Sequence, residues 1–269
     1  MRGDFSRYAN PMPRLAANLS TLFKELAFLE RFAAARRAGF RAVEYQYPYD
    51  FSSGDVAAAA REAGVHVVLH NVPRGNAQHG DHGTACLPGR EQDFRHDLER
   101  AVEYARAAGC PRLHCLAGVI PANAERAQLH ATYVANLKYA AMRLQREGMK
   151  LLIEPVSERT AKNYFLGGSA QAVGVLDELA AENAFLQYDF FHMQLLEGNL
   201  AAKAERLLPR IGHMQVADAP GRNEPGTGEI NFGFLFKHVD AIGYAGWIGC
   251  EYNPVGDTVE GLKWAKPYL

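Results

Sequence analysis

From residue 15 to residue 265, short apolar runs alternate with longer segments of helical spacing, eight times over, at a mean interval of roughly 30 residues. Alternation on this scale dictates parallel strands joined by helical crossovers. The expected strands are 15–20, 42–47, 65–71, 112–118, 151–156, 184–189, 213–218 and 247–252. The expected helices are 24–37, 55–63, 91–108, 124–146, 169–180, 199–208, 232–242 and 258–265. Gly39, Gly64, Gly109 and Gly148 stand at the stops, and Ser169 is the expected N-cap of its helix. Eight βα units within 269 residues predict an α/β fold, a closed (β/α)8 TIM barrel. An open doubly wound sheet is the alternative. No GxGxxG follows the first strand and no GxxxxGK[ST] occurs, which argues against a nucleotide-binding version of it.

No linker or composition shift divides the chain, so 12–269 is expected to be a single barrel domain. Residues 1–11 read as a poorly ordered leader or an expression remnant, with Met12 as a candidate natural start. The 29 basic and 30 acidic residues nearly cancel, giving a net charge of -1 and no general polyanion-binding surface. There is no 18-residue apolar run and no signal-peptide pattern, so the expectation is a cytoplasmic protein without nucleic-acid or membrane partners, free to form a homo-oligomer. The four cysteines, Cys86, Cys110, Cys115 and Cys250, are scattered and read as buried thiols. The Gly- and His-rich loop over 73–89 is too long for a simple connector and points to function.

In such barrels chemistry sits at the C-terminal ends of the strands. There strand five offers Glu154, strand six Asp189, strand seven Gln215 and strand eight Glu251. Their spacings of 35, 26 and 36 residues correspond to one βα unit each. Pro155 stops regular pairing beside Glu154, and a carboxylate there is costly to desolvate unless a cation meets it. Four oxygen donors suit a hard divalent ion, Mg²⁺ or Mn²⁺, better than zinc.

The strings LLIEP, LQYDFFHMQ, HMQVADAPGRNEPGTGEINF and GWIGCEY resemble the hydroxypyruvate isomerase family, one of the xylose-isomerase-like barrels. PRLAANLSTLF and AGFRAVEYQYPYD extend the resemblance over nearly the whole chain from Met12, and DAPGRNEPGTGEINF is its most specific motif. The resemblance implies that Glu154, Asp189, Gln215 and Glu251 bind the metal, and that Glu154 and Glu251 also move protons. It implies isomerisation of hydroxypyruvate to tartronate semialdehyde (2-hydroxy-3-oxopropanoate), with the same chemistry on a 2-oxo-tetronate as the runner-up. In related ketose 3-epimerases a histidine stands where Gln215 stands, so an epimerase ranks third. A barrel that binds a sugar acid without converting it is disfavoured by the two glutamates. The segment Val156-Ser157-Glu158-Arg159 is more polar than this branch suggests and bears on substrate choice.

His192, three residues after Asp189, reads as a donor to a substrate oxygen, with a packing role as its alternative. Arg222 reads as a planar fork for a substrate carboxylate or hydroxyl, with bracing of Glu224 as its alternative. His213 reads as structural. Glu44 is expected to hydrogen-bond in the barrel mouth or form an ion pair. His66, His70, His79 and His82 read as loop histidines rather than a second metal site, and the histidines that an endonuclease-like three-zinc site requires at the later strand ends are missing.

Overall fold

The computed structural model describes residues 13–269; the expected leader over 1–11, and Met12 with it, lies outside them. The strands β1 (Arg14–Asn18), β2 (Ala42–Tyr45), β3 (His66–Asn71), β4 (Arg112–His114), β5 (Lys150–Ile153), β6 (Ala184–Asp189), β7 (Ile211–Val216) and β8 (Trp247–Cys250) are parallel and close in chain order, β8 pairing back onto β1. This is the expected (β/α)8 barrel. Closure leaves no unpaired sheet edge, so the strands can be short and apolar on both faces.

The outer layer is α1 (Glu30–Arg37), α2 (Ser53–Ala63), α3 (Glu91–Ala108), α4 (Arg126–Gln145), α5 (Ser169–Leu179), α6 (Phe190–Leu196), α7 (Leu200–Leu207), α8 (Phe232–Ala241) and α9 (Thr258–Gly261). α3 shows why the sequence pattern works. Phe94, Leu98, Ala101, Val102 and Ala105 fall on one face and are buried, and Gly109 ends the helix at φ +65°.

Several boundaries differ from the sequence reading. The first helix begins at Glu30 rather than 24, because Phe23 sits at φ +57° and its N–H donates to Thr258 Oγ1 at 2.9 Å. Ser169 is the first residue of α5, not its cap. Its N–H and hydroxyl both donate to the Glu197 carboxylate, which satisfies the helix start from a distant segment. α6 was not expected at all. Asp189 starts it, one oxygen accepting from the Phe191 N–H at 2.9 Å. After Gly261 the last helix tightens into a 3-10 turn over Leu262–Tyr268.

The barrel interior carries a polar layer. Glu44 is fully buried and accepts hydrogen bonds from Asn18 Nδ2 at 2.9 Å and Gln215 Nε2 at 2.7 Å, with His213 Nε2 at 2.6 Å. The hydrogen bonds and the buried histidine replace the hydration that the carboxylate loses. Glycine is required opposite it, since a Cβ at Gly249 would lie 2.2 Å from Glu44 Oε1. His213 therefore has the structural place expected of it.

Candidate active site

All four strand-end oxygen donors fall at the C-terminal mouth. Glu154 follows β5, Asp189 ends β6, Gln215 lies one residue before the end of β7, and Glu251 follows β8. The register sets Asp189 beside Gln215 and Gln215 beside Gly249. The three carboxylates are 1–6% exposed. Glu154, Glu251, His114, His192, Gln187, Gln46, Tyr47 and Arg222 share one cavity of about 240 Å³.

Three acids in so little water cannot all hold ordinary pKa values. Burial, reinforced by Asp189 and Glu251, pushes Glu154 well above the usual carboxylate range. Burial raises Asp189 to about 6 against the opposing pull of Arg222, and raises Glu251 to about 7 against the same pull. Glu154 Oε1 and Asp189 Oδ2 have no hydrogen-bond partner. One donor atom from each of Glu154, Asp189 and His192 lies within 4.8 Å of the others. Buried carboxylates with raised pKa values and unpartnered oxygens, gathered this closely, fit a divalent cation. Gln215 fits less simply. Its Nε2 is committed to Glu44, and its Oε1 accepts from Gln187 Nε2 at 2.6 Å.

His192 is buried, and its Nδ1 accepts from the Ser157 N–H at 3.3 Å, with Ser157 Oγ at 3.0 Å. That leaves the proton on Nε2, which faces Asp189 Oδ2 at 3.6 Å. Burial and the nearby Arg222 push its pKa well down, so the ring is a neutral donor. His114 Nδ1 approaches Glu154 Oε2 at 3.7 Å, but burial pushes this histidine down to about 3, so the contact is no ion pair. The polarity of 156–159 is partly explained: Ser157 is buried under His192, whereas Glu158 and Arg159 face solvent.

Arg222 lies among the acids, at 3.3 Å from Glu251 Oε1 and 3.7 Å from Asp189 Oδ2. It also donates to Thr160 Oγ1 at 3.1 Å, and its guanidinium stands 5.1 Å from the Phe191 ring centroid. It does not brace Glu224, whose carboxylate accepts from the Val255 N–H. Its backbone takes the left-handed conformation, φ +59°, inside the loop that follows β7. Asp218 organises that loop: Oδ1 accepts from the Ala219 and Ile230 N–H groups, and Oδ2 from Gly226 and Gly228, all at 2.8–3.0 Å.

Sequence reasoning missed Gln187, His114, Gln46 and the Asp218 hub. Gln187 had a signal, standing two residues before Asp189 and thus on the same strand face. The four histidines read as loop residues do not form a second metal site, but two of them lie on β3 rather than in the loop, and His70 is fully buried there. His66 is exposed at the start of β3, His70 stacks on Tyr45, His79 is exposed, and only His82 lines the cavity. The four cysteines are free and buried, as expected.

A parallel eight-stranded barrel with buried acids of raised pKa at its C-terminal mouth has the form of a barrel enzyme. The xylose isomerase-like TIM barrel family model matches residues 32–268. A 2-oxo-tetronate isomerase of Cupriavidus necator is 46% identical over 258 residues, covering 96% of this chain and 99% of that protein. Hydroxypyruvate isomerase of Escherichia coli is 44% identical over 257 residues, covering 96% and 100%. A crystal structure described as AP endonuclease, family 2, from Brucella melitensis superposes with a TM-score of 0.93 at 40% identity, covering 96% and 99%. The chain belongs to the xylose isomerase-like TIM barrel family, in the branch of hydroxypyruvate isomerase and 2-oxo-tetronate isomerase, and is an enzyme of the isomerase class. Among the described residues, no helix is long and apolar enough to cross a membrane.

Proposed function

We propose that this enzyme interconverts hydroxypyruvate and tartronate semialdehyde, assisted by Mg²⁺ or Mn²⁺, with Glu154 and Glu251 as the proton-transferring pair. The observation that carries the reading is that two buried carboxylates with raised pKa values line the same cavity, Glu251 close to neutral pH. A group whose pKa lies near the working pH is the most effective proton carrier. One glutamate takes the proton from C3 as the C–H electron pair becomes a C2–C3 double bond. The other delivers a proton to C2, and the hydroxyl proton passes from O3 to O2.

Glu154, Asp189, Gln215 and Glu251 would hold the divalent ion. When bound, it supplies positive charge beside the two oxygens on which negative charge develops. His192 Nε2–H, facing the cavity beside Asp189, donates to a substrate oxygen. Arg222 keeps Asp189 and Glu251 oriented and offers its remaining N–H groups to a hydroxyl.

The cavity has room for one more carbon on C3, and the relatives include proteins named for both substrates. A 2-oxo-tetronate carries the same carboxylate, carbonyl and hydroxyl in the same order, so it is the second reading. Epimerisation of a free ketose is less well supported, because Gln215 stands near the end of β7. A nucleic-acid phosphodiester would meet three carboxylates, and Glu154, Asp189 and His192 form a cluster with two acids and one histidine rather than a histidine-rich zinc site.

The test is a panel of hydroxypyruvate, four-carbon 2-oxo acids and free ketoses, each incubated with enzyme and Mn²⁺ in D₂O. Product formation with solvent deuterium at C2 is expected for the acids. No conversion of any three- or four-carbon acid would sink the proposal.

A further inference from the structure

Arg222 has carboxylate partners on this chain and so is not a free counter-ion for an acid substrate. Glu154, Asp189 and Glu251 oppose it, and a bound divalent ion would cancel the remaining negative charge. The carboxylate shared by hydroxypyruvate and its longer homologues still needs a cation of its own. His114 and His192 are fully buried, turned toward Glu154 and Asp189. His82 is held below its ordinary value by burial and by Arg74, and is neutral near pH 7.

One permanent charge remains on the cavity wall. Arg74 lies just after β3, and its guanidinium stands 5.2 Å from the Tyr47 ring centroid. Among the described residues its side chain makes no hydrogen bond and no ion pair. Tyr47 beneath it lies within the electrostatic reach of Arg74, Glu154 and Glu251 alike, and all four line the same cavity.

The loop that carries Arg74 is held in place. The Arg74 carbonyl accepts from the Gly83 N–H at 2.9 Å, and the Ala117 carbonyl from the Cys86 N–H at 2.8 Å. Asn136 Nδ2, on α4, donates to the Ala85 carbonyl at 2.9 Å. Gly83 (φ +107°) and Gly118 (φ +117°) interlock: a Cβ on Gly83 would lie 2.3 Å from the Leu116 carbonyl oxygen, and one on Gly118 2.8 Å from that of Gly83.

We propose that Arg74 is the specificity residue for the acid: its guanidinium receives the C1 carboxylate as a planar two-pronged pair, and the loop over 73–89 is a fixed wall that positions it. The assignment rests on the isomerase reading above and adds which group recognises the substrate's charge. The carboxylate is unchanged through the reaction, so Arg74 binds ground state and transition state alike, and its loss acts on KM rather than kcat.

The experiment compares wild type, Arg74→Ala and Arg74→Lys with Mn²⁺, measuring kcat and KM for hydroxypyruvate. Calorimetric binding of glycerate, which keeps the carboxylate but cannot isomerise, is measured alongside. Unchanged melting temperatures show that the variants fold. A KM rise of about 10- to 100-fold in Arg74→Ala at near-constant kcat is expected, with glycerate affinity falling in parallel and Arg74→Lys intermediate. KM and glycerate affinity within twofold of wild type, in an enzyme that does isomerise the acid, would overturn the assignment and leave the function standing. A wild type that converts no three- or four-carbon acid would overturn the isomerase reading, and the assignment with it.

Discussion

Glu154 is the residue where stability and chemistry conflict. Its Oε1 has no partner, and burial holds its pKa well above that of an exposed glutamate. Such a group is costly to the folded protein whenever it is charged. Glu154→Gln and Glu251→Gln should each lower turnover by about 10³-fold, within the range that general acid–base catalysis contributes. Ion-free Glu154→Gln should melt at or above wild type at pH 8, because the variant removes a group that folding leaves either charged and buried or protonated above its ordinary range. Steady-state kinetics and thermal unfolding check both halves, and near-normal turnover in either variant would remove the residue from the mechanism. The four strand-end donors were legible in the sequence because each ends an apolar run one βα unit after the last. Gln187, His114 and the commitment of the Gln215 oxygen were not, since side-chain pairing across strands depends on register, which no single strand encodes.

Among the elements, the loop after β7 does the most positioning. Four N–H groups converge on the Asp218 carboxylate, and a Cβ at Gly228 would lie 1.9 Å from the Ala219 carbonyl oxygen, so the loop closes only around glycine. Arg222 is fixed from both sides, its N–H donating to the Asp218 carbonyl and its carbonyl accepting from Asn253 N–H. Asp218→Asn would place an amide N–H₂ where the Gly226 and Gly228 N–H groups need an acceptor. We expect kcat/KM to fall about 10- to 100-fold with the barrel intact, and hydrogen exchange to accelerate over 219–230 alone. Unchanged exchange there would show that the hub is dispensable. The motif containing this loop stood out in the sequence, but its organising acid did not, because Asp218 works through backbone groups up to twelve residues ahead. α6 was hidden for a related reason: it starts on the strand-ending Asp189, with no break to announce it.

At the scale of the whole molecule, the raised acids make stability depend on pH. Asp189 and Glu251 have folded-state pKa values of about 6 and about 7, above those of the unfolded chain. These acids contribute stability that falls as pH rises from roughly 4 through 7, whereas the buried neutral His70, His114 and His192 contribute the opposite slope up to their unfolded value near 6.5. Without divalent ions, the melting temperature should fall from pH 7 to pH 8, where the histidines no longer titrate and Glu251 still does. Mn²⁺ should raise it more at pH 8 than at pH 5, and should release protons on binding near pH 6. A melting temperature indifferent to both pH and Mn²⁺ would remove the acids as a cation site. The barrel itself was legible throughout, because alternation and length leave few other closed solutions. What the sequence could not show was which partners Glu44 would take, Asn18, His213 and Gln215, or that Gly249 would make room for it.

The contact between Gly83 and Gly118 ties the history of two segments together. A side chain on Gly83 would displace the Leu116 backbone and one on Gly118 the Gly83 carbonyl, so the path of the 73–89 loop is inherited as a unit with the chain leaving β4. Descendants of this enzyme can retune their choice of acid by exchanging what projects from that wall, at Arg74 or His82, far more readily than by moving the wall.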